Sequence, residues 1–337
     1  MSGGVDSSVA AALLNKQGFD VVGIFMKFWK DGQSSQNRCC SVESEKLARL
    51  VAKELDIPFY VLNVEKEFKK KVVDYFLKEY KKGNTPNPCI VCNKEIKFGF
   101  LIKKALSLGA DFVATGHYVK IKDGRLFESE DKEKDQTYFL CQLNQKQLKR
   151  VLFPIGDYKK SDVRKLAEKF KLPTAETPES QEVCFIQDTT DNFLKKYLKI
   201  KPGKVINTEG KILGEHEGLW FYTIGQRKGI GLSGGPYYVT GKDLKNNSLL
   251  ISKNQKDLLK KELIAENVNW ISGEKPNLPL RAKVKIRYRT NSAEAVIYTI
   301  KNKNYRIVFK DPQRAITPGQ SAVFYHNKEM LGGGVIN

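Results

Sequence analysis

Ser2-Gly3-Gly4-Val5-Asp6-Ser7-Ser8 runs directly into Val9-Ala10-Ala11-Ala12-Leu13-Leu14, and this junction constrains the fold more than any other stretch of the 337 residues. Two adjacent glycines let backbone N–H groups approach a phosphate chain with no Cβ in the way. The serines add hydroxyl donors, and the apolar run reads as a helix whose positive N-terminal end faces the anion. Asp6 is expected to hold magnesium or to position a leaving pyrophosphate, since carboxylates suit that hard ion. Such a loop normally hangs from the end of a buried strand, so a parallel α/β sheet is expected around it.

The spacing is not that of a Walker A loop, which needs G-x-x-x-x-G-K-[ST]. Ser-Gly-Gly-x-Asp-Ser instead resembles the pyrophosphate loop of the N-type ATP pyrophosphatases, which adenylate a carbonyl oxygen. The chain that follows keeps a strand–helix rhythm: strands over 21–26, 59–64 and 111–115, helices over 43–55, 68–80 and 89–108. Two more amphipathic helices are expected over 145–152 and 161–171. That alternation predicts a doubly wound parallel sheet with ligands at the carboxyl ends of its strands.

Beyond about residue 198 the texture changes to short strands between Gly and Pro, with helical periodicity confined to 257–263. Arg281-Ala282-Lys283-Val284-Lys285-Ile286-Arg287-Tyr288-Arg289 alternates as a half-buried strand with a basic outer face. Further strands over 293–300, 305–309 and 321–325 suit a small barrel. The expected division is therefore 1–197, an α/β domain; 198–262, a small β-rich domain; and 263–337, a β-barrel. Fifty-eight Lys and Arg against 38 Asp and Glu give a net charge of +20, which favours a polyanionic partner. No apolar run approaches the roughly 18–20 residues that span a bilayer. Six cysteines in a chain this long read as thiols in a reducing compartment, with a cytoplasmic location expected.

Cys89 and Cys92 form a C-x-x-C at the start of a helix, after Asn87-Pro88 and near Lys94 and Lys97, where thiols gain thiolate character. Cys184 lies in Ser180-Gln181-Glu182-Val183-Cys184, Cys39 and Cys40 in a polar loop, and Cys141 reads as a small buried hydrophobe. Zinc normally takes four ligands, and no second C-x-x-C follows. The segment Asn84-Thr85-Pro86-Asn87-Pro88 through Cys92-Asn93-Lys94-Glu95-Ile96-Lys97-Phe98 resembles the tRNA-specific 2-thiouridylases. So do Ala114-Thr115-Gly116-His117-Tyr118, Lys134-Asp135-Gln136-Thr137-Tyr138, Gly214-Glu215-His216-Glu217-Gly218 and Tyr222-Thr223-Ile224-Gly225-Gln226-Arg227-Lys228-Gly229. Lys285-Ile286-Arg287-Tyr288-Arg289 and Thr317-Pro318-Gly319-Gln320 extend the match, in order, through nearly the whole chain.

The resemblance implies an adenine nucleotide alpha hydrolase-like fold and ATP-dependent sulfuration of a tRNA wobble uridine at C2. It places ATP on Met1, Ser2, Gly3, Gly4, Val5, Asp6, Ser7, Met26 and Gly116. It places the target base on Asn87, Pro88 and Cys89, and further tRNA contacts on His117, Lys134, Asp135, Gln136, Arg287, Tyr288 and Gln320. Cys184 corresponds to a persulfide-bearing cysteine and Cys92 to a nucleophile that resolves the exchange as a Cys92–Cys184 disulfide. A sulfur-donor protein of the persulfide relay is the implied partner, and no membrane is involved.

Two departures matter. Many family members carry Asp where this chain has Cys89, which opens two roles for that thiol: an acid–base group, or a third ligand beside Cys92 and Cys184 for a [4Fe–4S] cluster that delivers sulfide. Family members also carry an apolar central strand before the glycine loop. The sequence shows none ahead of Ser2, so the true start is expected upstream, or poor folding from unpaired neighbouring strands. The rival functions are a small-molecule ATP pyrophosphatase and a non-catalytic RNA-binding relative.

Overall fold

The computed structural model describes residues 1–32, 41–178, 183–300 and 303–337. Cys39 and Cys40, and residues 179–182 ahead of Cys184, lie outside them. The N-terminal part begins with α1 (Val5–Lys16), β1 (Gly23–Lys27), α2 (Val42–Glu54) and β2 (Phe59–Asn63). Two long helices follow. α3 (65–81) is π-helical over Lys69–Val73, and α4 (88–107) is π-helical over Cys92–Phe100. Next come β3 (Val113–Ala114), the hairpin β4 (Lys120–Lys122) and β5 (Arg125–Phe127), β6 (Val151–Leu152), α5 (Lys160–Lys169) and α6 (Thr190–Tyr197).

β1 pairs with β2 and β3 with β6, both parallel, so the expected parallel sheet is present as two two-stranded pieces. α1 packs against α5 on a small-residue interface. Val5, Val9, Ala10 and Ala12 meet Val51 of α2, Val163 and Ala167 of α5, and Tyr118 in one buried cluster. Alanine at these positions lets helix backbones approach closely, and it costs no side-chain entropy in a helix. The helix expected over 145–152 is one turn, Gln145–Leu148, closed by a reciprocal Asn144–Gln147 capping box. Val151 and Leu152 then go to β3 as its partner strand instead.

The central part is a four-stranded sheet. Its strands are β7 (Gly203–Ile206), β8 (Ile212–His216), β9 (Tyr238–Asp243) and β10 (Ser248–Ser252), in the order β8-β7-β10-β9. The C-terminal strands are β11 (Leu259–Trp270), β12 (Leu280–Lys285), β13 (Ala293–Thr299), β14 (Tyr305–Arg314), β15 (Ser321–His326) and β16 (Glu329–Ile336). They run β11-β14-β13-β12-β15-β16, and β16 pairs back to β11, which closes a six-stranded barrel. The helix expected over 257–263 is therefore wrong. After a turn at Gln255–Leu258 the chain is extended, because Leu263, Ala265, Val268 and Trp270 fill the barrel interior. Burial overrides local propensity here.

The basic strand ends at Lys285 rather than 289. Its alternation holds, with Arg281 and Lys283 exposed and Val284 and Ile286 buried. One pairing was not expected. The hairpin turn Asp123-Gly124 has positive φ at both residues, the pattern of a tight two-residue β-turn. Beside it, β5 extends the barrel sheet by pairing with β16 through Phe127↔Glu329 and Leu126↔Met330. The nucleotide-type domain and the barrel thus share one hydrogen-bonded sheet.

Candidate functional site

The glycine loop is shaped by its own side chains. The Ser2 amide donates to Ser7 Oγ at 3.1 Å, and the Ser7 and Ser8 hydroxyls donate to Gly4 O at 3.1 and 3.0 Å. Gly3 has φ +75°, and a Cβ there would lie 2.4 Å from Ser44 O, so only glycine fits between the loop and the start of α2. Gly4 differs. Its φ of −99° suits any residue, and a Cβ would meet only Ser2 Oγ, at an ordinary 3.6 Å. The protein itself does not need glycine at position 4, so the missing Cβ leaves a cradle for something else. No side chain caps α1 at Gly4, and its first amides point to that cradle. Gly116, after β3, closes the other side: a Cβ would fall 2.6 Å from Asp6 C and Ser7 N.

The expectation for Asp6 changes with its surroundings. Its Oδ1 accepts from Tyr118 Oη and from Lys160 Nζ, each at 2.7 Å. Lys160 is buried to 9% exposure, and its backbone N–H donates to Asp131 Oδ2 at 2.9 Å. Among the described residues no hydrogen bond reaches Asp6 Oδ2. Sequence reasoning assigned no role to Lys160, which lies 154 residues away on the first turn of α5. Met26 sits half-buried at the carboxyl end of β1, and the Met1 amine donates to Ile24 O.

The cysteine helix starts as its residues dictate. Asn87 is the N-cap, its Oδ1 accepting from the Cys89 and Ile90 amides at 3.1 and 3.4 Å, and Pro88 occupies the first turn. Cys89 is exposed, and Cys92 is buried at the first residue of the π-helical stretch. Such stretches are rare and cluster at functional sites. Cys92 and the half-buried Cys184 pack on one apolar cluster, which Met1 and Met26 also border. Cys141 is fully buried, as expected, and burial pushes its thiol up to about 12. Among the described residues no three His, Cys, Asp or Glu side chains gather as a metal site. Cys89, Cys92 and Cys184 are thus not gathered as three ligands in this structure.

Most residues that the resemblance assigns to RNA hold protein to protein here. His117 is buried between Phe98 and Phe153, with Nδ1 2.7 Å from Thr115 Oγ1. Burial first, and Lys97 second, drive its pKa well below 6.5, so the ring is neutral. Asp135 is buried and accepts from the Ser129 amide and the Thr137 hydroxyl; burial raises its pKa. Gln136 Oε1 accepts from the Tyr118 amide, and the Lys134 amide donates to Asp131. Tyr288 packs on Phe139 with ring centroids 4.4 Å apart.

Arg287 and Gln320 meet at the junction of the three parts of the chain. Arg287 Nη2 donates to Ile224 O, Ala315 O and Thr317 Oγ1. Gln320 Nε2 donates to Thr85 O at 2.7 Å, the Thr85 amide donates to Pro318 O at 2.8 Å, and Thr85 Oγ1 lies 3.2 Å from Thr223 Oγ1. The loop that launches Cys89 and Cys92 is thus clipped to the barrel. Beside this clip a cleft of about 540 Å³ opens between α4 and the barrel, lined by Asn87, Lys94, Gln142, Asn269, Lys303 and Ser321.

A parallel α/β domain with a Cβ-free phosphate cradle, followed by a β sheet and a closed barrel, defines a nucleotide-using protein of the HUP type. Three family models match in order. They are the tRNA methyl transferase HUP domain over residues 1–188, the tRNA methyl transferase PRC-barrel domain over 191–253, and the aminomethyltransferase beta-barrel domain over 260–336. A tRNA-specific 2-thiouridylase of Thermoanaerobacter sp. (strain X514) is 49% identical over 350 residues, covering 100% of this chain and 96% of that one. Those of Clostridioides difficile and Carboxydothermus hydrogenoformans are 49% and 47% identical, with the same coverage. The solved NMN synthetase of Francisella tularensis is only distantly similar: TM-score 0.33 and 18% identity, over 53% of this chain and 64% of that one. The chain belongs to the tRNA-specific 2-thiouridylase family and is an enzyme that uses ATP. No helix among the described residues is long and apolar enough to cross a membrane.

Proposed function

We propose that this enzyme adenylates O2 of a tRNA wobble uridine at the glycine loop and then replaces that oxygen with sulfur carried on Cys184. The observation that carries the reading is the shared apolar cluster, which borders Met1 and Met26 beside the loop and also holds Cys92 and Cys184. One face of the first domain therefore serves both halves of the reaction.

In the first half, uridine O2 attacks the α-phosphorus of ATP and pyrophosphate leaves. The Gly4 cradle, the α1 amides and the Ser2 hydroxyl receive the phosphates, as oriented donors stabilise developing charge best where water is excluded. Magnesium, when bound with ATP, neutralises phosphate charge, and Asp6 Oδ2 is the group positioned to hold it. In the second half, the outer sulfur of a Cys184 persulfide attacks C2 and AMP departs. The Cys92 thiolate then attacks Cys184 Sγ, which breaks the S–S bond and leaves sulfur on C2 and a Cys92–Cys184 disulfide. A dithiol reductant returns the pair to thiols, and a persulfide-bearing donor protein reloads Cys184 in the cytoplasm. Asn87, Pro88 and Cys89 face the target base, with Cys89 in reach of its acid–base chemistry. The basic outer face of β12 and the parts beyond residue 198 carry the rest of the tRNA.

The test is thiolation of unmodified tRNA from a persulfide donor, with ATP–pyrophosphate turnover followed in parallel. Cys184→Ser and Cys92→Ser lose 2-thiouridine formation while retaining ATP binding. Thiolation at the wild-type rate in Cys184→Ser would sink the sulfur route.

A further inference from the structure

The route above ends with a Cys92–Cys184 disulfide, and that bond has to be opened before Cys184 can be loaded again. Cys92 is 8% exposed and packs with half-buried Cys184 in the cluster that Phe68, Ile96 and Phe185 fill. Disulfide exchange needs a thiolate to reach one of the two sulfurs, so a bond sealed there is slow to meet a reductant from solution. Cys89 lies outside the seal. It is exposed, one helical turn before Cys92. Asn87 Oδ1 caps that turn at the Cys89 amide, 3.1 Å away, and the Cys92 amide donates to both Pro88 O and Cys89 O. Residues three apart in a closed helical turn have Cα atoms about 5 Å apart, inside the window of about 4.4–6.8 Å that disulfides use. A helix start in C-x-x-C spacing also favours the attacking thiolate. Cys141, the other cysteine among the described residues, cannot stand in. It is buried in a separate cluster, and burial pushes its thiol up to about 12.

We propose that Cys89 is the resolving thiol of this enzyme: it takes the disulfide over from Cys184 and presents it to solvent. The Cys89 thiolate attacks Cys92 Sγ, the Cys92–Cys184 bond breaks, and Cys184 leaves as a thiolate. One disulfide replaces another, so no electrons are gained or lost, and Cys184 is ready for the next sulfur. A small dithiol then attacks the exposed Cys89 sulfur, and Cys92 leaves as a thiolate. The second thiol of the reductant closes on the first, which releases Cys89 and leaves the reductant oxidised. The proposal rests on the reading that turnover leaves a Cys92–Cys184 bond.

The experiment equilibrates the full-length protein with oxidised glutathione, as wild type, Cys89→Ser and Cys184→Ser, and maps disulfides by mass spectrometry after alkylation. Wild type is expected to carry Cys89–Cys92 with Cys184 alkylated, and Cys89→Ser to carry Cys92–Cys184. Cys184→Ser isolates the C-x-x-C and still closes Cys89–Cys92. Wild type with Cys92–Cys184 bonded and Cys89 alkylated would overturn the proposal, and so would a Cys184→Ser protein that forms no Cys89–Cys92 bond. The oxidised proteins are then given about 0.1 mM dithiothreitol, and the return of the Cys184 thiol is timed. A thiol tethered one turn away acts at an effective concentration of about 1 mM or more, so Cys89→Ser is expected to recover about tenfold more slowly than wild type. Recovery within about twofold of wild type means that solvent opens Cys92–Cys184 directly, and Cys89 is not its resolving thiol. If Cys89→Ser forms no Cys92–Cys184 bond at all, the reading beneath the proposal fails first, and that result is distinct from those above.

Discussion

Gly116→Ala puts one methyl group against the phosphate loop. The Cβ would lie 2.6 Å from Asp6 C and Ser7 N and 2.8 Å from Asp6 O. Carbon contacts settle at about 3.5–4.0 Å, so the loop or the strand end has to move by about 1 Å. The obstructing atoms are backbone on the first turn of α1, and no rotamer change relieves the overlap. Overpacking of this kind costs ~1–3 kcal/mol. The displacement falls on the turn that holds Asp6 against Tyr118 and Lys160 at 2.7 Å, so stability and nucleotide binding are both affected. A loss of ~2 kcal/mol lowers Tm by ~4–8 °C for a domain of this size. The same strain expressed in binding weakens ATP by about 5- to 150-fold. The assay is thermal unfolding alongside a magnesium-ATP titration, with Gly4→Ala as the contrast. Gly4 has room for a Cβ and an ordinary φ, so Gly4→Ala keeps the wild-type Tm and loses ATP affinity alone. Wild-type Tm and affinity in Gly116→Ala, or an equal fall in Tm for Gly4→Ala, would refute the steric argument.

Two further outcomes are expected. Lys242 donates to Gly83 O at 2.8 Å across the first and central parts of the chain, and burial holds its amine down at about 8 against an ordinary 10.5. The unfolded chain then binds more protons between those values, so stability rises as pH goes from about 8 to 10.5. Lys242→Met flattens that rise, and denaturant titrations that give wild type the same midpoint at pH 8 and pH 10 would contradict the assignment. Iodoacetamide at pH 8 alkylates exposed Cys89 in the native protein, while Cys141, buried with a thiol at about 12, reacts only after unfolding. Peptide mapping that finds both labelled at one rate would show that the barrel does not seal Cys141.

What reasoning from residue types could reach was local. Asn87-Pro88 before Cys89 is a helix start in any context, and the structure has the cap and the proline where the sequence puts them. The β-strand alternation around Val284 and Ile286 is likewise visible without a fold. Helix 257–263 failed because the same residues satisfy two periods over so short a span, and closing the barrel chose the extended one. Arg287 was legible as a basic residue beside an aromatic. That its guanidinium binds Ile224 O, Ala315 O and Thr317 Oγ1 depends on three segments meeting.

The sequence by itself determined the phosphate loop, the cysteine helix and the family, since each is written in residue types a few positions apart and needs only backbone rules to read. The tertiary structure alone decided what those parts are connected to. It brings Lys160 to Asp6 across 154 residues and Gln320 to Thr85 across 235. It also joins β5 to the barrel through β16. Such contacts follow from which faces are buried together and which polar groups must then find partners, and no spacing along the chain encodes that choice.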